Sequence, residues 1–136
     1  MFIFPYSEIE KGSNVIVYGA GDVGGQYIKQ IQLTGFCKIL AVVDRNWNNI
    51  ASICGIKISS PDTMDYSGAD AVIVAIENPG VSKSICEMLA TKGVSNIINS
   101  LTRFTGADDS MHFMEYQSFT LDKNCTNPNV VSARLA

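Results

Sequence analysis

The sequence lacks a basic cluster, a long apolar run and a basic N-terminal region. Its ten Lys and Arg residues never stand side by side, and thirteen Asp and Glu residues bring the formal net charge to −3. Because binding to a polyanion depends on clustered cations, nucleic acid is not an expected partner. No apolar run approaches the roughly 18 residues of a membrane span, and MFIFPYSEIEKGSN lacks the basic start of a signal peptide. We therefore expect no membrane span and a cytoplasmic protein.

The sequence also has few residues that commonly carry catalysis or bind metals. The four cysteines, Cys37, Cys54, Cys86 and Cys125, include no C-x-x-C pair, so neither a zinc site nor a disulfide scaffold is predicted. The single histidine, His112, lies in the irregular C-terminal part of the chain. No tyrosine has a lysine four residues later, which excludes the Tyr-x-x-x-Lys pair of short-chain dehydrogenases and epimerases. Catalytic residues are left unassigned, and no metal site is expected.

The length fits one domain with an additional tail. A chain of 136 residues, 46% hydrophobic and only 17% charged, is expected to pack as a globule with a face for a partner. We predict a nucleotide-binding domain at residues 1–100 and a tail at 101–136, too short for a substrate domain. The tail is predicted to contain a short helix at 109–117 and a strand at 118–122. Its aromatic residues predict docking on the domain or on a partner subunit, and hence a homo-oligomer or an enzyme complex.

Strand and helix patterns alternate along residues 14–99. Short β-branched runs predict buried strands at 14–18, 38–43, 69–76 and 95–99, and an alternating run predicts a strand at 55–60. Helical spacing predicts helices at 22–34 and 81–92 and a short one from Trp47 to Ile53. This order predicts an α/β fold, a doubly wound parallel sheet of five strands with an irregular C-terminal tail.

A glycine motif connects the first buried strand to the first helix. It matches G-x-G-x-x-G, the dinucleotide-binding fingerprint, and consists of Gly19, Ala20, Gly21, Asp22, Val23 and Gly24. In that fingerprint the first glycine permits a tight turn, the second lets a diphosphate approach, and the third allows close helix packing. A diphosphate would accept hydrogen bonds from free N–H groups at the helix N-terminus. The alternative is that these glycines serve only the turn.

An acidic residue follows the motif at the expected distance. Asp44 ends the second strand, twenty residues after Gly24, where a carboxylate binds ribose hydroxyls in dinucleotide-binding domains. Such a carboxylate repels a 2′-phosphate and favours NAD(H) over NADP(H), although a guanidinium at Arg45 could pair with that phosphate. Asn46 and Trp47 could flank an adenine. Alternatively, Asp44 is only a solvated or capping residue.

The end of the predicted strand at 69–76 and the turn after it are the remaining candidate for the binding site. Ligands of open α/β sheets lie at the carboxyl ends of strands where the winding reverses, so we expect Ala75, Ile76, Glu77 and Asn78 to border the same crevice. Ile76 could pack against a base or a nicotinamide ring. The alternative for Glu77 and Asn78 is that they only cap the following helix.

With these motifs the chain resembles Rossmann-like domains of bacterial surface-polysaccharide biosynthesis. The glycine loop, AVVDRN, GIKISSP and ADAVIVAIEN are similar to nucleotide-binding modules attached to glycosyltransferases and sugar methyltransferases. The same segments resemble the N-terminal NAD-binding region of nucleotide-sugar dehydratases and, more distantly, the nucleotide-sugar-binding domain of sugar O-acyltransferases. The resemblance implies that Gly19, Gly21 and Gly24 approach a diphosphate and that Asp44 approaches a ribose.

The combined expectation is a stand-alone Rossmann-like domain for NAD(H), with NADP or a nucleotide-sugar diphosphate as other ligands. It would act with polysaccharide or nucleotide-sugar biosynthesis enzymes. An alternative is a small NAD-dependent nucleotide-sugar oxidoreductase or dehydratase subunit whose active site, near His112, is completed by oligomerisation. A third interpretation is a structural or regulatory module that binds no ligand.

Overall fold

The computed structural model describes residues 1–103 of the chain. The tail helix and strand predicted at 109–117 and 118–122, together with His112, lie outside these described residues. In chain order, the elements are β1 (Phe2–Ile3), a 3-10 turn (Tyr6–Glu8), β2 (Asn14–Tyr18), α1 (Asp22–Thr34), β3 (Lys38–Val43), β4 (Ser52–Ile53), β5 (Ile56–Ser59), β6 (Ala71–Val74), α2 (Pro79–Thr91), β7 (Ile97–Ile98) and β8 (Thr102–Arg103).

A mostly parallel sheet forms the centre of the domain. Its strand order is β4-β5-β3-β2-β6-β7, and every neighbouring pair is parallel except β4 and β5. The predicted α/β fold class is confirmed, and the five predicted parallel strands are present. The sheet adds β4 as an antiparallel edge strand, which the sequence pattern did not indicate.

Side chains alternate between two cores along β2. Val15 and Val17 belong to the core on the α1 side, whereas Ile16 and Tyr18 belong to the core on the α2 side. All four are buried. Because β2 is covered on both faces, its sequence is a nearly continuous apolar run, as expected for a doubly wound sheet.

Clear sequence signals mark the end of α1 and the start of α2. α1 has the predicted bounds and stops at Gly35, whose φ of 64° is the left-handed conformation that glycine favours at a helix C-terminus. α2 begins at Pro79 rather than the predicted Val81, because the Asn78 side chain accepts hydrogen bonds from two N–H groups of its first turn. Neither helix of the described region has the length and apolarity needed to cross a membrane.

The short helix predicted from Trp47 to Ile53 is wrong. Residues 45–49 form turns instead, in which Asn46 donates its N–H to the Asp44 carboxylate and Trp47 donates to the Asp44 carbonyl. Such local hydrogen bonds compete with a helix. The chain then enters β4 and returns through a turn at Cys54 and Gly55, both at positive φ.

The N-terminal residues complete the core on the α1 side. The rings of Phe4, Tyr6 and Phe36 meet edge to face, with centroids 5.0 to 6.3 Å apart. The buried Gln30 of α1 accepts from the N–H of Phe4 and donates to the carbonyl of Phe2. β1 pairs antiparallel with β8. This segment covers a flank of α1 and positions the chain that follows β7.

Candidate functional site

The carboxyl ends of β2, β3 and β6 meet at one edge of the sheet. Gly19, directly after β2, donates its N–H to the carbonyl of Val43 in β3 at 2.8 Å. On the other side Ala75, directly after β6, donates to the carbonyl of Tyr18 at 2.8 Å. Because β2 lies between its two later neighbours, this is the position where the winding reverses, which is where open α/β sheets bind their ligands.

Two positions of the glycine loop, residues 19–24, have no room for a side chain. Gly19 has a φ of 124°, and a Cβ there would lie 2.6 Å from the Ala75 carbonyl oxygen. A Cβ at Gly24 would overlap the Gly19 carbonyl oxygen and lie 2.7 Å from its carbonyl carbon. Glycine at these positions allows α1 to approach β2 closely, as the first and third glycines of the fingerprint do.

Gly21 differs from these two glycines because its surroundings are open. A Cβ built at this exposed residue meets no atom within 4 Å. Gly21 is also the N-cap of α1, and no side chain caps this helix end. The start of α1 is therefore without a side-chain cap and has open space beside Gly21, an arrangement that suits a diphosphate. Asp22 is exposed in the same turn, whereas Val23 is buried against the core.

Asp44 lies beside this helix end and is already held by two hydrogen bonds. One carboxylate oxygen accepts from the N–H of Ala20 at 2.8 Å, and the other accepts from the N–H of Asn46 at 2.8 Å. Each oxygen of a carboxylate accepts more than one hydrogen bond. Asp44 is half-buried, whereas Arg45 is exposed next to it. The carboxylate therefore has acceptor capacity left for ribose hydroxyls.

Tyr18, the last residue of β2, carries a phenol directly before the glycine loop. Burial raises the pKa of its hydroxyl above 10.0, and the positive charge of Arg45 partly opposes this shift. The carboxylates of Asp44 and Asp62 raise the pKa further. Tyr18 is thus protonated at neutral pH, and nothing about it resembles an activated base.

The residues that follow β6 have separate roles. Ala75 is buried and Ile76 is half-buried, and both lie next to Gly19. The exposed Glu77 forms an ion pair with Arg103 across 3.8 Å. Asn78 caps α2, which is the alternative that the sequence left open for it. The structure therefore brings Ala75 and Ile76 to the glycine loop and gives Glu77 and Asn78 structural partners.

Arg103 is a residue at this edge that sequence reasoning missed. Its guanidinium lies 5.4 Å from the centre of the Phe2 ring as well as beside Glu77. No local pattern could have indicated this contact, because it joins residues about a hundred positions apart through the pairing of β1 with β8.

Together these features of residues 1–103 offer groups for binding a ligand. The parts present are an open helix N-terminus, a carboxylate with free acceptor positions, and an apolar side chain at Ile76. They fit the diphosphate, ribose and ring of a dinucleotide. Within residues 1–103, no three His, Cys, Asp or Glu side chains come together as a metal site.

Comparison with known proteins agrees with this fold. The model of the family "C2185-like, N-terminal" matches residues 11–97. No curated protein matches the sequence. Among solved structures, UDP-D-quinovosamine 4-dehydrogenase from Vibrio fischeri is similar with a TM-score of 0.53 and 21% identity, over 72% of this chain and 97% of that one.

The Rex-family repressor RSP is also similar. Its TM-score is 0.55 at 17% identity, over 83% of this chain and 61% of the repressor chain. RSP in complex with β-NADH matches with a TM-score of 0.53, 17% identity and coverage of 83% and 62%. The match spans about three fifths of the repressor. At these identities the likeness concerns the fold, which is Rossmann-like.

Proposed function

Because the chain belongs to the C2185-like N-terminal family, whose model covers residues 11–97, we propose a function for the site that these residues build. The glycine loop binds the diphosphate of NAD(H) or of a nucleotide sugar. The observation that carries this proposal is the uncapped start of α1, where Gly21 faces open space. An anion there gains both free N–H donors and the positive end of the helix dipole.

Asp44 determines which nucleotide is preferred. Its carboxylate sits 2.8 Å from the Ala20 N–H and so lies directly beside the glycine loop. A ribose with both hydroxyls free donates to this carboxylate, whereas a 2′-phosphate is repelled by it. The exposed Arg45 offsets part of that repulsion. We therefore expect NAD(H) to bind more tightly than NADP(H).

The base of the ligand has two candidate contacts. Ile76 is half-buried at the end of β6, and Trp47 is 42% exposed in the turns after β3. One face of the exposed Trp47 indole is open to water. A planar base can therefore stack on it without displacing a contact within the protein. The adenine or uracil would lie between these two apolar surfaces.

The biological setting of the proposal is nucleotide-sugar or polysaccharide biosynthesis, with the protein acting beside the enzymes of that chemistry. The sequence resemblance to such modules supports it. So does the structural likeness to a protein described as a UDP-D-quinovosamine 4-dehydrogenase. NAD(H) as ligand is supported by the likeness to RSP, whose structure with β-NADH is known.

Calorimetric titration of the full chain with NAD⁺, NADH, NADP⁺ and a series of UDP-sugars tests the proposal. We expect saturable binding of NAD(H) or of a UDP-sugar, with weaker binding of NADP⁺. Free ribose and inorganic phosphate serve as controls that have only one part of the ligand. No binding of any nucleotide at millimolar concentration would contradict the proposal.

A second candidate function is a small nucleotide-sugar oxidoreductase or dehydratase subunit. It is favoured by the dehydrogenase structure, of which the match covers 97%. Absorbance of reduced nicotinamide during incubation with UDP-sugars distinguishes an oxidoreductase from simple binding, and loss of one water from the sugar, measured by mass spectrometry, distinguishes a dehydratase, which regenerates its NAD⁺ in each turnover. Either change, if lost in the His112→Ala variant, would support catalysis, whereas bound NADH with constant absorbance and an unaltered sugar supports the binding function.

A further inference from the structure

A ribbon of two strands, β1 paired with β8, lies along one side of α1. The N–H of Phe2 in this ribbon donates to the side-chain oxygen of Gln26 in α1 at 2.7 Å. The β4–β5 hairpin, at the end of the sheet order opposite to β7, also meets α1, where the Gln32 side chain donates to the Cys54 carbonyl at 3.0 Å. Six residues correspond to about 1.7 helical turns, so Gln26 and Gln32 point to different sides of α1. The ribbon and the hairpin therefore cover different sides of this helix.

Arg103, in β8 of this ribbon, is held by two neighbours. Its guanidinium carbon lies 5.4 Å from the centre of the Phe2 ring, and one guanidinium nitrogen lies 3.8 Å from a carboxylate oxygen of Glu77. Both charged side chains are exposed, by 57% and 61%. A separation of 3.8 Å is longer than a hydrogen bond, and an aromatic ring attracts the guanidinium through its charge. Within residues 1–103 these contacts therefore hold the guanidinium while its five N–H donors stay available to a ligand.

The Arg103–Glu77 pair and Asp44 lie on different sides of the glycine loop. Asp44 follows β3 and accepts from the Ala20 N–H at 2.8 Å, whereas Glu77 follows β6. β3 and β6 are the two neighbours of β2, each about 4.8 Å from it. In the proposed function the ribose lies at Asp44 and the diphosphate at Gly21, so the ligand extends from the β3 side across β2. Its second half continues toward β6, where the Arg103–Glu77 pair lies.

The Arg103–Glu77 pair offers both hydrogen-bond donors and hydrogen-bond acceptors. The guanidinium only donates, and the ionised carboxylate only accepts. A hydroxyl group donates one hydrogen bond and accepts others, so adjacent hydroxyls of a sugar ring can bond to both members of the pair at once. Hydrogen bonds to charged groups are also stronger than those between neutral groups. A sugar ring on the second phosphate of the ligand therefore matches this pair in chemistry as well as in position.

We propose that Arg103 and Glu77 bind the hydroxyl groups of a sugar ring attached to the second phosphate of the ligand, an inference that rests on the proposed function. This ring is the nicotinamide ribose in NAD(H) and the hexose in a nucleotide sugar. The guanidinium donates to oxygen atoms of the ring, the carboxylate accepts from its hydroxyls, and Phe2 positions the guanidinium. Because β1 and β8 lie outside residues 11–97, the ribbon adds a contact to the region that the family model matches.

Ligands with and without the second sugar ring separate this contact from binding of the diphosphate. Calorimetry of the full chain compares NADH with ADP and UDP-glucose with UDP. In Arg103→Gln we expect at least one complete ligand, NADH or UDP-glucose, to bind about tenfold more weakly, because hydrogen bonds to a charged group are lost. ADP and UDP should bind within about twofold of their wild-type affinity, since they lack the ring. The complete ligand that is weakened identifies which sugar ring the pair contacts.

Two more variants complete the comparison. Glu77→Ala removes the acceptor and should weaken the same complete ligand at least about threefold, whereas ADP and UDP should not bind more weakly. Lys38→Gln is the matched control for Arg103→Gln, because it also replaces an exposed cation by glutamine. Lys38 is the first residue of β3 and so lies at the amino ends of the strands, at the edge opposite to the site. This control should bind all four ligands like the wild type.

The outcomes distinguish this inference from the function on which it rests. If the wild type binds these ligands and Arg103→Gln binds them equally well, nucleotide binding stands and the sugar contact is overturned. An equal loss of affinity for the complete ligand and for its nucleoside diphosphate would also overturn the sugar contact, since Arg103 would then contact the diphosphate. No binding of any of the four ligands to the wild type would contradict the proposed function itself and the sugar contact with it.

Discussion

The carboxylate of Asp44 accepts a hydrogen bond from the backbone N–H of Ala20 at 2.8 Å and so ties the end of β3 to the glycine loop. Its other oxygen accepts from the N–H of Asn46 at 2.8 Å and shapes the turn after β3. The residue proposed to contact the ribose therefore also positions the loop proposed to bind the diphosphate. Changes at Asp44 should affect stability and binding together.

Asp44→Asn tests this double role. An amide offers one acceptor oxygen, so either Ala20 or Asn46 loses its partner, and we expect the free energy of unfolding to fall by about 1–3 kcal/mol. NAD(H) affinity should fall about tenfold, the effect of one weakened polar contact. Urea unfolding and calorimetry measure the two effects.

Asp62→Asn at an exposed site is the control and should change stability by less than about 0.5 kcal/mol. An Asp44→Asn variant as stable as the wild type would contradict the double role.

Neighbouring glycines in α1 should respond in opposite ways to alanine. In Gly24→Ala the new methyl group would overlap the Gly19 carbonyl, so α1 must move away from β2, and we expect a loss of at least about 2 kcal/mol. In Gly25→Ala the methyl group meets only the Ile53 side chain at 3.6 Å, an ordinary contact. That variant should be as stable as the wild type or gain up to about 1 kcal/mol of helix propensity. Equal unfolding free energies for the two variants would show that the close approach of helix and strand is not maintained in solution.

Asp22→Asn should strengthen nucleotide binding. The carboxylate of Asp22 is exposed in the first turn of α1, where it stabilises the helix but repels an incoming diphosphate. We expect affinity for NADH to rise about two- to fivefold at low salt and the gain to shrink as ionic strength increases, because exposed charges are screened. Calorimetry at two salt concentrations measures this. Weaker binding by the variant would indicate that the ligand's diphosphate does not lie at this helix end.

Stability should be lost at alkaline pH. Burial raises the pKa of Tyr27, Tyr66 and Cys37 to about 12, from 10.0 for the tyrosines and 9.0 for the thiol. Between these values the unfolded chain binds fewer protons than the folded one, so the free energy of unfolding falls as pH rises from about 9 to about 12. Below that range these groups contribute no pH dependence. Urea unfolding across the range checks the expectation, and a curve that stays flat would refute it.

Much of the fold could be predicted because the informative residues are local in sequence. The bounds of α1 follow from Gly21, helical spacing and Gly35, and they agree with the structure. The central strands are short β-branched runs that the sheet buries on both faces. Asp44 could be singled out because its distance from the glycine loop is fixed by one strand–helix–strand unit.

The remainder depends on contacts that no local pattern contains. The predicted helix after Asp44 is replaced by turns, since the Asn46 N–H donates to the Asp44 carboxylate and the Trp47 N–H donates to the Asp44 carbonyl. The pairing of β1 with β8 and the placement of Arg103 over Phe2 join distant parts of the chain. Leu33 fits the helical pattern yet is 67% exposed, because α1 has only one core-facing side.

The most direct test of the central claim is the affinity of NADH for Gly21→Val compared with Gly68→Val. Both glycines are exposed and have no atom within 4 Å of a built Cβ, but Gly68 lies before the amino end of β6, away from the site. We predict that both variants fold and that only Gly21→Val loses binding, by at least about a hundredfold, because its side chain fills the space of the diphosphate. Equal affinity of the two variants would contradict diphosphate binding at the glycine loop.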